Sequence, residues 1–270
     1  MSGIVLSVKY SEDFGGKASH FHDCNQLLFI KEGAASVTVN GRTVEAPAGS
    51  LVLTNRFERH SITPLGGGYK RYVLRVSPAA VSLKETDEML LSVLVNRPEG
   101  FRSVIDISDI AGEYCLILEK MSEEYGSGGE LCGYMLELLL YRLLALLYRK
   151  APEIFSEHEK GLSETVRKIK TEFSENYAAE YSLGSLAAEH HISASYLAHA
   201  FKKITGTPVM NYLYLCRIAA AKKMLAGSDA DIGAVVEKCG FSDHSNFCRL
   251  FKKSSGMTPT QFRNRYRHKG

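Results

Sequence analysis

No apolar run in this chain reaches the roughly 20 residues that a membrane-spanning helix requires. The most apolar stretch, Met135 to Tyr148, is shorter and carries Glu137 and Arg142. The opening residues, MSGIVLSVKYSEDF, lack the basic-then-apolar pattern of a secretory signal. Six cysteines (Cys24, Cys115, Cys132, Cys216, Cys239 and Cys248) show no paired metal-type spacing. Without an export signal, reduced thiols and a cytoplasmic location are the expectation. A Gly-x-Ser-x-Gly nucleophile motif and a phosphate-binding glycine loop are both missing, so no enzyme class is signalled.

What is present is ordinary for a soluble globular protein: 45% hydrophobic and 23% charged residues in 270, enough for two cores. The net charge of +3 hides an asymmetry. From Ser182 to Gly270 there are 13 Lys and Arg against 5 Asp and Glu, a net of +8; the remaining 181 residues hold 20 against 25, a net of −5. A mildly acidic body with a basic end suits a polyanion-binding module joined to a regulatory domain.

Three regions follow one another. Residues from about 4 to 80 contain short apolar or alternating runs, such as Gln26 to Ile30 and Ser50 to Leu53, separated by glycine and proline. Val37 to Val44 reads as a hairpin, because Asn40-Gly41 suits the two positive φ angles of a type I′ turn. Many short strands predict a small β-barrel or sandwich. Residues from about 84 to 150 read as helical, broken at Gly126-Ser-Gly-Gly129. The helix after that break, Leu131 to Tyr148, is apolar around most of its surface and needs more than one neighbour, within the domain or in a dimer. After Ala151-Pro152 the chain is wholly helical; Leu162, Val166, Ile169 and Phe173 recur at three- and four-residue steps and give one amphipathic helix.

The most informative feature is a repeat with a period of about fifty residues. Leu183 to Pro208 and Ile232 to Pro259 share a short apolar helix, a tight turn, a Ser, a second helix ending Phe-Lys-Lys, then Gly and Thr-Pro. Each copy has the pattern of a helix-turn-helix. Leu183, Leu186 and Ala187, or Ile232, Val235 and Val236, pack the first helix. Ser193 and Ser242 stand where an N-cap is needed, and Leu197/Phe201 or Phe247/Phe251 form the buried face of the second. Thr207-Pro208 and Thr258-Pro259 each place a capping hydroxyl ahead of a new helix. The helix from Val209 to about Leu225 spans roughly 25 Å and would set the second helices in successive major grooves, about 34 Å apart.

These residues resemble the AraC/XylS family of bacterial transcription regulators. Gly240-Phe-Ser-Asp-His-Ser-Asn-Phe-Cys-Arg-Leu-Phe-Lys-Lys-Ser-Ser-Gly-Met-Thr-Pro259, followed by Phe262-Arg263, carries that family's signature. Asn246 stands where an aromatic is common, and His199 where another basic or polar base-reading residue is common. In the N-terminal region His20-Phe-His22, Gln26, Gly33, Gly41-x5-Pro47-x-Gly49 and His60 resemble the two cupin motifs. Metal-binding cupins use two histidines, a carboxylate and a later histidine; Gln26 occupies the carboxylate position here.

The resemblance implies an α+β protein of two domains. Residues 1–150 form a cupin-like β-barrel with dimerisation helices, for effector binding; residues 151–270 form an all-α DNA-binding domain with two helix-turn-helix units. The expected function is a sequence-specific transcription regulator, not an enzyme, responding to a small metabolite such as a sugar. Base reading falls to Ser195, Ala198, His199, His244, Ser245, Cys248 and Arg249, and phosphate contact to Lys202, Lys203, Arg217, Lys252 and Lys253. The effector pocket takes His20, His22, Gln26 and His60. No cofactor is expected; the alternative is a divalent metal on His20, His22 and His60. Expected partners are double-stranded DNA, the effector, a second copy of the chain and, for an activator, RNA polymerase. Three other readings stay open: a metal-dependent cupin enzyme with an appended DNA module, a constitutive DNA binder whose N-terminal domain only dimerises, and a helical bundle for protein contacts.

Overall fold

The computed structural model describes residues 5–12, 16–77, 88–94, 101–155 and 162–267. The chain divides into two compact units, with the main break between Ser163 and Glu164.

The N-terminal unit is built on one seven-stranded antiparallel sheet. Its strands are β1 (Val5–Glu12), β2 (Lys17–His20), β3 (Asn25–Val39), β4 (Arg42–Pro47), β5 (Ser50–Thr54), β6 (His60–Val76) and β7 (Val104–Asp106). The order is β1-β6-β3-β5-β7, with β2 also on β6 and β4 also on β3. Two long strands organise it. β3 and β6 pair along their whole length, from Asn25↔Val76 to Val39↔His60, with irregularities around Glu32 that let the ladder bend. Each then serves two further neighbours: one half of β3 pairs β5 and the other β4, while one half of β6 pairs β1 and the other β2. Among the described residues the outer strands β1 and β7 do not pair with each other, so the sheet curls as in a cupin without closing into a complete barrel. The β3–β4 turn is the expected one, with φ of 50° at Asn40 and 81° at Gly41.

The apolar run Gln26 to Ile30 is continuous because β3 is buried on both faces. Leu27 and Phe29, with Leu51, Leu53 and Leu74, point into a core shared with the helices; Leu28 and Ile30, with Val37, Val52 and Ile62, point into a second core inside the curl of the sheet. The helical layer comprises α1 (Glu88–Ser92), α2 (Ala111–Ser127) and α3 (Cys132–Lys150). Its second member stops where the glycine cluster predicts, with Gly128 in the left-handed region at φ 61°. Leu136, Leu140, Leu143, Leu144 and Leu147 of α3 are buried against α2 and the sheet. The region from about 84 to 150, expected to be helical, also contains β7, a three-residue strand on the edge of β5. Its single alternation, Val104-Ile-Asp106, is too short to carry a periodic signal.

The C-terminal unit contains α4 (Leu162–Glu175), α5 (Leu183–Glu189), α6 (Ala194–Thr205), α7 (Val209–Gly227), α8 (Ile232–Lys238), α9 (His244–Ser255) and α10 (Pro259–Tyr266). Val166, Ile169 and Phe173 give α4 its buried face as predicted; the side chain of Leu162 lies outside the described residues. The seventh helix is buried around most of its girth, through Val209, Tyr212, Leu213, Cys216, Ile218, Ala221 and Leu225. It is therefore the central shaft of the unit. Tyr212 meets Phe201 of α6 edge-on, and its C-terminal half packs against α8, α9 and α10.

Candidate functional site

The fifty-residue repeat is visible in individual hydrogen bonds. In the first copy the amides of His191 and Ile192 donate to the carbonyls of Ala188 and Ala187; in the second, Gly240 and Phe241 donate to Glu237 and Val236. The turn residue is left-handed in both, with φ of 55° at His191 and 75° at Gly240. The register then shifts by one. Ser193 Oγ accepts from the amide of Tyr196, the expected cap, but in the second copy Asp243 rather than Ser242 caps the helix, accepting from the amide of Ser245. An extra residue in that turn moves the capping position one step on. A second extra residue, Met257, precedes Thr258. Thr258 and Gln261 form a reciprocal capping box at α10, whereas α7 starts after Pro208 with no side-chain cap.

Both second helices bury the predicted faces: Leu197, Ala200 and Phe201 in α6, and Phe247 and Phe251 in α9. Rings continue from Phe241 through Phe247, Phe251 and Phe262 to Tyr266, fixing α9 against its neighbours. Opposite these faces Ser195, His199, Lys202 and Lys203 are exposed on α6, with Ala198 half-buried; His244, Ser245, Arg249, Lys252 and Lys253 are exposed on α9, with Cys248 half-buried. The Arg249 guanidinium is already held by Asn246, donating to its Oδ1 at 2.8 Å. Two further exposed side chains were not singled out from the sequence. Tyr196, 53% exposed, lies on the same outward side as His199, three residues on. Arg265 is exposed on α10.

Arg217 is not where a phosphate contact requires it. It is buried at 8% exposure, with Nε donating to the carbonyl of Tyr177 and an Nη to that of Ala179, both at 2.8 Å. The guanidinium also lies 5.8 Å from the Phe241 ring. Burial pushes its pKa down, and the neighbouring Tyr214 partly opposes this. The same loop is approached from the other side by Gly240, where a Cβ would come within 2.5 Å of the Ala178 carbonyl oxygen. Arg217 is therefore removed from the phosphate set: its guanidinium is buried, and two of its N–H groups are spent on backbone carbonyls inside the unit.

In the N-terminal unit the structure brings His20, His22 and His60 together, their ligand-capable atoms all within 4.8 Å of one another. His60 is the first residue of β6 and pairs with His20 of β2 on one side and Val39 of β3 on the other. Direct cross-strand partners share a face; His22 follows two residues after the end of β2, with its ring 4.8 Å from that of His20 and 5.2 Å from that of His60. Burial pushes the His60 imidazole below its ordinary value and the nearby His20 acts in the same sense, although its bond to the Glu58 carbonyl opposes them. Gln26 is buried in β3 between Thr54 of β5 and Arg75 of β6. No disulfide joins the six cysteines, and burial raises the thiols of Cys24 and Cys239 to about 11, which makes neither a nucleophile.

A curled sensory-type sheet followed by two helix-turn-helix units defines the class of two-domain bacterial-type transcription regulators. The family described as AraC-like ligand binding domain matches residues 10–144, and that described as helix-turn-helix domain matches 186–265. The chain belongs to the AraC family of transcriptional regulators. The transcriptional regulator YijO of Escherichia coli is 36% identical over 98 residues, covering 36% of this chain and 35% of that protein. The transcriptional activator RhaR of Yersinia pseudotuberculosis is 25% identical over 150 residues, 56% of this chain and 52% of its own. This chain thus spans about a third to a half of those relatives. The transcriptional activator RhaS of Salmonella arizonae is 24% identical over 247 residues, 90% of this chain and 86% of its own. Among solved structures, ToxT from Vibrio cholerae shares the fold with a TM-score of 0.63 at 15% identity, covering 96% of this chain and 97% of that one. ToxT with a bound unsaturated fatty acid gives 0.58 at 14%.

Two stability measurements check the clamp on the 177–179 loop. Gly240→Ala adds left-handed strain to a backbone collision and is expected to cost about 2–4 kcal/mol; Gly256→Ala, at φ 73° with open space around it, should cost only about 1 kcal/mol in urea unfolding. Arg217→Ala should lose about 2–5 kcal/mol, since it leaves two carbonyls without their charged donor. An unchanged urea midpoint would return Arg217 to the surface.

Proposed function

We propose that the chain is a sequence-specific, effector-responsive transcription regulator that reads DNA through α6 and α9. One observation carries this reading: two repeated helices bury equivalent apolar faces and leave equivalent polar, basic faces exposed. Lys202, Lys203, Lys252 and Lys253 contact phosphates and set position; they release counterions without reading sequence. Ser195, Ala198, His199, His244, Ser245, Cys248 and Arg249 meet base edges. Arg249, pre-oriented by Asn246, makes a bidentate contact to a guanine.

The N-terminal unit is the sensor, with His20, His22, Gln26 and His60 in its effector site. The effector is a small metabolite; a sugar and a fatty acid, the latter bound by the structural neighbour ToxT, are the first classes to screen. We read this unit as non-enzymatic, since the relatives are transcriptional regulators. The protein works in a cytoplasm, and if it activates, as RhaR and RhaS do, RNA polymerase is a further partner. No helix among the described residues is long and apolar enough to cross a membrane.

A second copy of the chain docks on the outer side of α3. Leu131, Tyr134, Met135 and Leu138 are all exposed there, at three- and four-residue steps on one helix face. A self-complementary stripe of this kind suits a two-fold interface, and a dimer doubles the number of reading helices on one operator.

Selection of bound fragments from genomic DNA supplies the operator on which the variants are measured. Arg249→Ala should flatten preference at a single base position by about 1–3 kcal/mol, roughly 5- to 150-fold, while Lys253→Ala weakens operator and random DNA alike. Equal losses on both DNAs for Arg249→Ala would refute its reading role. Sedimentation should find a dimer that Leu138→Arg converts to monomer; a monomeric parent protein rules out that interface.

A further inference from the structure

We propose that Arg71 and Arg75, on the inner wall of the curled sheet, form an oxyanion site, and that the effector carries a carboxylate or a phosphate. This rests on reading the N-terminal unit as the sensor and names the chemical class that it senses.

The first argument is direction. Direct cross-strand partners share a face. Along the β3–β6 ladder Arg71 is opposite Ile30, Val73 opposite Leu28 and Arg75 opposite Gln26. Ile30 and Leu28 belong to the core inside the curl, and Val73 packs against it. Arg71, Val73 and Arg75 follow at the two-residue step that keeps to one side of a strand. Both arginines therefore leave β6 on the inner side. On the other flank Ser11 and Ser7 of β1 stand opposite them and bring hydroxyls to the same wall. Arg71 Nε donates to Ser11 Oγ at 3.1 Å, and its guanidinium lies 5.8 Å from the Tyr69 ring.

The second argument is an unmet donor. Arg71 is buried and Arg75 half-buried. Nε of Arg75 is sealed from solvent and finds no acceptor. Arg75 forms no ion pair among the described residues. A buried N–H without an acceptor is costly, and folded proteins tolerate few of them. An oxygen of the effector supplies the acceptor.

The third argument is charge. Burial, with Arg75 adding to it, depresses both the Arg71 guanidinium and the His60 imidazole; at Cys24 Arg75 opposes the effect of burial. One cation is thus felt at three places around the interior, and it repels the other arginine. The nearby acids are committed elsewhere. Glu58 accepts from the Asn40 side chain at 2.9 Å and from the Asn55 amide at 2.8 Å. Asp23 pairs with Arg56 at 2.7 Å, and Glu32 with Lys70 at 2.9 Å.

A guanidinium is a planar fork whose parallel N–H groups match a carboxylate or a phosphate. Two like charges on one low-dielectric wall favour an anion, whereas a neutral sugar leaves both unbalanced. The rest of the inner wall, with Val37, Val52 and Ile62, suits a compact organic body behind the charged head.

The test titrates full-length protein in chloride buffer with butanoate, succinate and glycerol phosphate, and with glucose and glycerol as neutral counterparts. Ionic strength is matched with sodium chloride. Calorimetry should find one equivalent of at least one anion per chain, with a raised unfolding temperature and no response to the neutral compounds. The carboxylates and the phosphate ester separate the two oxyanions. Arg75→Met should weaken anion binding more than about tenfold. In chloride alone it should unfold no earlier than the parent, because it removes an unpaired buried donor. Circular dichroism confirms that it is folded; Arg75→Lys, which keeps the charge and loses the fork, replaces it if it is not. No saturable anion binding, undiminished binding in the folded variant, or a lower unfolding temperature for Arg75→Met without anion overturns the site. Operator binding is measured on the same samples. A protein that takes glucose but no anion loses only the oxyanion proposal; one whose stability and operator affinity respond to none of the five compounds loses the sensory reading as well.

Discussion

A single buried guanidinium holds the C-terminal unit in register. Arg217 extends from the central helix α7 to the carbonyls of Tyr177 and Ala179, while Gly240 seats the turn of the second helix pair against the intervening Ala178. The loop between α4 and α5 is thus gripped by the shaft and by the second turn at once. Burying a charge is costly unless it is hydrogen-bonded, and here two carbonyls accept from the guanidinium while the Phe241 ring lies 5.8 Å from it. The consequence is positional. α5 leads directly from that loop and α6 follows it, so the first reading pair is referenced to the second through backbone carbonyls, a stiffer link than packing alone.

The N-terminal unit shows a comparable economy in β3 and β6. Their long bent ladder supplies the wall of a core inside the curl and the floor on which α2 and α3 rest. Residues adjacent in sequence, such as Leu27 and Leu28, therefore enter different cores. The histidine cluster lies at the beginning of β6, where β2 and β3 flank it. The same strand carries Leu74 and Val76 beneath the helices.

Much of this was legible in the residues. The repeat, the four-residue spacing of Leu197/Phe201 and Phe247/Phe251, the Asn40-Gly41 hairpin and the glycine break after α2 each follow from local periodicity or turn chemistry, and each is found as expected. The three histidines also converge, as the resemblance to the cupin motifs implies. What local pattern does not carry is what a side chain meets across the fold. Arg217 reads as one more cation in a basic region; only the path of the 177–179 loop shows that it is buried against backbone carbonyls. Ser242 reads as a cap because the repeat suggests it, and one inserted residue passes that role to Asp243. β7 is too short to announce itself.

The stiffness of α7 has a consequence for the target. Its 19 residues run about 28 Å without a break, and both reading pairs pack on it. On the reading proposed here, the interval between the two base clusters of an operator is set by a protein ruler rather than by a flexible tether. Adding one base pair between them turns the second cluster by about 34–36° around the duplex axis, and the shaft has no hinge to follow. Such a regulator tolerates drift in its base letters more readily than drift in their phase.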